Sequence, residues 1–89
     1  MKKEIDDYQF GRNAAREDGE NNQFSNYDLF LAKSGELSEN CSSYLLKRIR
    51  LEEKKGNIID EYLASRGYLK GMKDFRAIQS GLLSPGDLR

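Results

Sequence analysis

The sequence predicts an all-α fold: a small bundle of four to five short helices with a central αα-hairpin. Three observations predict it. Valine and threonine are absent, so the five isoleucines are the only β-branched residues, and strands favour such residues. Eleven leucines, five alanines and an abundance of Lys, Arg and Glu favour helix. No stretch of six residues alternates cleanly with period two, whereas several segments carry a capping residue at one end and a glycine at the other.

The elements follow in order. Residues 3–18 read as a first helix that Gly19 ends. Its apolar stripe is broad, with Ile5, Tyr8 and Ala15 on one side and Phe10 and Ala14 on another. Residues 19–25 are a polar loop. Ser25 or Asn26 then caps a short second helix holding Tyr27, Phe30 and Leu31, which Gly35 closes. The third helix has the clearest signals. Ser38 is its N-cap, Glu39 lies in the first turn and Lys54 and Lys55 in the last, complementing the helix dipole. Cys41, Tyr44, Leu45, Ile49 and Leu51 share an arc of about 160° at 100° per residue, with Leu46 outside it. Gly56 is the expected C′ residue, and Asn57 at once caps a fourth helix, which makes a tight hairpin.

The fourth helix is expected to bury Ile58, Ile59, Tyr62 and Leu63, with Ile59, Tyr62 and Leu63 facing Cys41, Leu45 and Ile49 across the Gly56-Asn57 turn. Beyond Gly67 the apolar face changes phase to Tyr68, Met72, Phe75, Ile78 and Leu82, which implies a break or kink at Gly67. Ser84-Pro85-Gly86 stops any helix, leaving residues 84–89 as a flexible tail. The whole chain, 1–89, is thus one domain: an acidic half over 1–40, a basic helical hairpin over 41–83, and the tail. An internal echo links Asp28-Leu29-Phe30-Leu31-Ala32-Lys33-Ser34-Gly35-Glu36-Leu37 to Asp60-Glu61-Tyr62-Leu63-Ala64-Ser65-Arg66-Gly67-Tyr68-Leu69. Both read as a helix end with Gly in the left-handed region.

Composition excludes much chemistry. With no histidine, neither a Ser-His-Asp nor a Cys-His nucleophile can be assembled. One cysteine and no histidine cannot supply the three or four Cys and His ligands of a usual zinc site, whereas a carboxylate site for magnesium or calcium stays open in principle. The nearest calcium-loop candidate, Asp18, Glu20 and Asn22, has Gln23 where the sharp-turn Gly belongs and Leu29 where the bidentate Glu belongs. No phosphate-binding glycine pattern occurs. The carboxylate pairs Asp6-Asp7, Glu17-Asp18, Glu52-Glu53 and Asp60-Glu61 point about 100° apart on a helix, so none is a ready acid/base couple. The expectation is therefore no enzyme, no cofactor and no metal. Cys41 reads as a small buried hydrophobe, and the sequon Asn40-Cys41-Ser42 as accidental, because Met1-Lys2-Lys3-Glu4 leads into no apolar run. The longest apolar run, Leu29 to Leu31, is too short for a membrane. A cytoplasmic protein with no membrane contact is expected.

Charge is uneven although the total is zero. Residues 1–40 hold five basic and nine acidic residues, net −4; residues 41–89 hold ten and six, net +4. The basic excess, with Tyr for interface chemistry, makes Tyr44, Lys47, Arg48, Arg66, Tyr68, Lys70, Lys73 and Arg76 the candidate macromolecule-binding residues. Tyrosines suit protein interfaces and can also stack single-stranded bases. Asp60 to Gly81 invites a helix-turn-helix reading, but Gly67 follows Ala64 by three positions instead of the usual four, and the domain is not net positive. The general look, short, His-free, charged and helical, resembles the small accessory proteins of phages and mobile elements. The leading expectation is a non-catalytic protein-interaction module: an adaptor, inhibitor or assembly factor. Its partner is a protein, with a homo-oligomer allowed. The alternative is a nucleic-acid-binding regulator that uses the basic half.

Overall fold

A computed structural model describes residues 6–79, and side chains as far as Phe75, as four helices: α1 (Asp7–Glu20), α2 (Asn26–Lys33), α3 (Glu39–Lys54) and α4 (Glu61–Gln79). No strand occurs among the described residues. The expected start of the first helix at residue 3, the side chain of Ile78, Leu82 and the tail lie outside them.

Each helix starts on an acceptor side chain. Asp6 accepts from the Gln9 N–H at 2.7 Å, Ser38 from that of Cys41 at 3.2 Å, and Asp60 from that of Leu63 at 3.1 Å. Ser25 and Asp28 form a reciprocal capping box. The fourth helix therefore begins on Asp60 and not on Asn57. Asn57 serves the end of α3 instead: its N–H donates to the Glu52 carbonyl and its side chain to the Glu52 carboxylate.

Three helices stop in the same way. A residue with positive φ, namely Asn22 (58°), Gly35 (88°) or Gly56 (92°), turns the chain. The next N–H then bonds back to the carbonyl of Asp18, Leu31 or Glu52 respectively, the Schellman arrangement. The first helix thus runs through Gly19, where the sequence suggested a stop, and ends at Asn22, because Asn tolerates the left-handed region.

The most extensive interface joins α1 and α4, not α3 and α4. These two helices run parallel: Gly67 lies against Tyr8, Gly71 against Ala15, and Gly19 against Phe75. They approach backbone to backbone. A Cβ on Gly67 would overlap the Tyr8 carbonyl, lying 2.8 Å from its carbon. A Cβ on Gly11 would overlap the Ala64 carbonyl in the same way, and one on Gly71 would lie 2.7 Å from the Ala15 Cβ. Glycine here is a spacer that lets two helices touch, not a breaker.

Accordingly α4 is one helix through Gly67, and the expected break is absent. Its buried face is Ala64, Gly67, Tyr68, Gly71 and Met72, a single stripe at helical spacing. Ile58, Tyr62 and Leu63, expected inside, are exposed; only Ile59 of that group joins the core. The apparent phase change came from counting surface residues as core and leaving glycines out of the stripe. The two echoed segments also differ: Gly35 ends α2 in the left-handed region, whereas Gly67 is mid-helix.

Helix α3 closes the core with Cys41, Leu45 and Ile49. Leu51, expected on that face, is 56% exposed. Phe24, from the loop read as polar, packs edge-on against Tyr68 and Phe75, with ring centroids 6.0 and 5.9 Å apart.

Candidate macromolecular interface

Buried polar groups decide which charges are free to meet a partner. Asp18, only 6% exposed, accepts from Arg48 Nη2 at 2.7 Å and from the Tyr68 hydroxyl at 2.5 Å. Arg48 also holds Glu17 at 2.9 Å. Burial works against the Arg48 charge, but the bonds it donates to Asp18 and Glu17 outweigh it and raise its pKa. Burial, followed by the bond to Asp18, pushes the Tyr68 hydroxyl far up, so it stays a proton donor. Asp74, also buried, joins Arg12 at 3.0 Å and Lys70 at 3.0 Å. Apart from the Lys70–Asp74 pair within α4, these links run between the two halves of the chain, in both directions. Arg48 of the basic half serves Glu17 and Asp18, and Arg12 of the acidic half serves Asp74.

A second buried node fixes α2 to α3. Asp28 accepts from the Ser38 hydroxyl at 2.6 Å and from the Ser25 N–H at 2.9 Å. Burial alone would raise the Asp28 pKa, but the bonds from Ser38 and Ser25 prevail and lower it. Its stabilising contribution is therefore present above the unfolded carboxylate value of about 4 and is lost as pH falls through the lower folded value. Urea unfolding at pH 7 and pH 3 should show wild type losing more stability than Asp28→Asn on acidification. An equal loss in the two proteins would show that this node carries no linked proton. Next to it, burial raises the Cys41 thiol to about 11, so it stays protonated at neutral pH, as a core residue does.

The eight predicted interface residues do not form one surface. Tyr68 is fully buried and presents nothing to a partner; its ring fills the core and its hydroxyl serves Asp18. Arg48 and Lys70 are exposed in part, but their charges are committed to Glu17, Asp18 and Asp74. Arg66 lies over the Tyr62 ring, 5.7 Å from its centroid, and donates to its hydroxyl. Tyr44 is half-buried on α3. The side chain of Arg76 lies outside the described residues. Lys47 and Lys73 are exposed, with no ion-pair partner among the described residues.

Two sets of surface residues were missing from that prediction. Tyr27, Phe30, Leu51, Ile58, Tyr62 and Leu63 are large, apolar and exposed. On α3, Arg50 and Lys54 stand with Lys47 on the side opposite Cys41, Leu45 and Ile49. The spacing 47, 50, 54 was the signal that could have found this set, since positions i, i+3 and i+7 share a helix face. Among the described residues no group of three or more metal-ligating side chains occurs, and no helix is long and apolar enough to cross a membrane.

No protein-family model matches this chain, and neither a curated protein nor a solved structure shows significant similarity to it.

Proposed function

We propose that this chain is a small non-catalytic interaction module, an adaptor, inhibitor or assembly factor, that acts by binding a protein. One observation carries the reading: the allocation of its large side chains. Half of the ten buried hydrophobic residues are small, namely Ala14, Ala15, Ala32, Cys41 and Ala64, packed with close-set glycines around Leu45, Ile49, Ile59, Tyr68 and Met72, while Ile58 and Tyr62 remain 77% and 67% exposed. Exposed aliphatic and aromatic groups contribute little to the monomer, whereas removing their apolar surface from water favours a complex by about 25 cal/mol per Å² before the cost of association is met. Aromatic anchors in particular dominate binding energy at interfaces.

The nucleic-acid alternative rests on Lys47, Arg50, Lys54 and Lys73, which are exposed and without an ion-pair partner among the described residues. The helix-turn-helix form of that alternative lacks its turn, because α4 continues through Gly67.

The test is a triple variant, Ile58→Ser, Tyr62→Ser and Leu63→Ser. It should keep the helical circular-dichroism spectrum and unfold at a similar temperature. Partner capture from a host extract, and any self-association seen by sedimentation, should be lost or strongly reduced. Unchanged capture and unchanged sedimentation would remove the exposed apolar residues from the function.

A further inference from the structure

We infer that the outward face of α3, formed by Lys47, Arg50, Leu51 and Lys54, is a docking ridge for an acidic protein segment that carries an apolar side chain. The inference rests on the interaction-module reading and names a partner chemistry for it.

The three cations fall within a sector of roughly 60° at 100° per residue and span about 10 Å along the axis at 1.5 Å per residue. That sector is centred opposite Cys41, Leu45 and Ile49, the buried face, so packing holds it toward solvent. All three are exposed, and none has a hydrogen-bond or ion-pair partner among the described residues. Lys33 on α2 and Lys73 on α4 are likewise exposed and without an ion-pair partner among the described residues, but each stands on another helix, whereas these three share one face. Arg12, Arg48 and Lys70 each hold a carboxylate, and Lys55 holds Glu52.

The local acids do not compensate the ridge. Glu52 points toward the core side and is engaged with Lys55 and Asn57, which lowers its pKa. Glu53, three residues on from Arg50, makes no ion pair with Arg50, Lys47 or Lys54. A chain with equal numbers of acids and bases thus leaves three cations of one helix face without an ion pair among the described residues.

Charge complementarity calls for an anion there, and Leu51 decides its class. Leu51 is 56% exposed and is a helical neighbour of Lys47 at i−4 and of Lys54 at i+3. A phosphate backbone has no use for a leucine between its cations. An acidic amphipathic segment does, with carboxylates on the cations and an apolar residue over Leu51.

The experiment selects random 16-residue peptides displayed on phage against the immobilised full chain, then measures the winners as labelled peptides. Enriched peptides are expected to be net negative with at least one large apolar residue. Their affinity should fall by about an order of magnitude or more for Lys47→Glu/Arg50→Glu/Lys54→Glu, and should weaken with added salt. It should also weaken for Leu51→Ser, whose charges are intact. Because all four positions are exposed, circular dichroism and thermal unfolding should match wild type; a variant that unfolds is replaced by the Gln counterparts.

Peptides that are neutral or basic, or that bind the charge-reversed chain equally, would overturn the ridge. If those same peptides are instead lost with Ile58→Ser, Tyr62→Ser and Leu63→Ser, the interaction reading survives without it. Failure to enrich any peptide would count against both. A parallel titration with mixed-sequence duplex DNA and single-stranded RNA at two salt concentrations should give no binding tighter than about 10 μM at physiological salt, weaker than specific complexes show. Submicromolar binding that the charge reversal abolishes would overturn the proposal in favour of nucleic acid.

Discussion

Gly67→Ala is expected to destabilise the protein by about 2 kcal/mol or more, against the gain of about 1 kcal/mol that the same change makes in an exposed helix interior. The sign follows from what surrounds the position. Gly67 is buried in α4, and a Cβ there would overlap the Tyr8 carbonyl of α1 and lie 3.1 Å from the Arg12 nitrogen. Both obstacles are backbone, held by the ladder of α1, so no rotamer change relieves the overlap. The helices must separate along the most extensive interface of the molecule. Separation would also stretch the bonds from Arg12 to Asp74 and from Tyr68 to Asp18, which cross that interface. Urea unfolding of wild type and variant measures the effect. A useful comparison is Gly35→Ala, where a Cβ meets open space but φ is +88°. That change should cost on the order of 1 kcal/mol from backbone strain alone. A stabilised Gly67→Ala would mean that α1 and α4 do not pack backbone to backbone.

Leu45→Ala is expected to cost about 2–5 kcal/mol, the range for a fully buried leucine whose site cannot collapse. Leu45 is 2% exposed and is among the largest fully buried side chains, together with Tyr68 and Met72. Five of the other nine buried core residues are Ala or Cys, which have little reach to fill the void. Since α3 makes a limited interface with α4, loss of Leu45 should loosen α3 in particular. Hydrogen exchange should therefore show α3 amides exchanging faster than those of α1 and α4 in the variant. A loss below about half a kcal/mol would show instead that this face is open and serves a partner. Leu51→Ala, by contrast, should leave stability nearly unchanged, within the half kcal/mol typical of surface positions.

These expectations divide as the sequence reading divides. Ser25, Ser38, Gly35 and Gly56 were read correctly as helix limits, because a cap is a matter of a few consecutive residues and their own backbone bonds. The buried face of α3 was also legible, since Cys41, Leu45 and Ile49 carry apolar side chains at helical spacing. The core of α1 and α4 was legible only in part: Ala14, Ala15, Tyr68 and Met72 lie on the apolar faces the spacing predicts, but the line of contact between the helices is written in Gly11, Gly19, Gly67 and Gly71, residues with no side chain to register as apolar. The candidate surface was only partly legible for a similar reason. Nothing local in Arg48 tells that Glu17 and Asp18 will occupy it, whereas the i, i+4 spacing of Lys70 and Asp74 and the spacing of Lys47, Arg50 and Lys54 are present in the sequence.

The sequence by itself determined the all-helical class, the starts of α2 and α3 to within a residue, and the ends of the same two helices. It did so because helix propensity, capping and the missing β-branched residues act over a few neighbouring positions. Only the tertiary structure decided that Gly67 spaces two helices while Gly35, in the same sequence pattern, ends one. It alone decided that Tyr68 is core and Tyr62 is surface, and that Arg48 is spent internally while Arg50 is not. Those outcomes depend on which backbone and which carboxylate arrive from far along the chain, and a local pattern contains no information about that arrival.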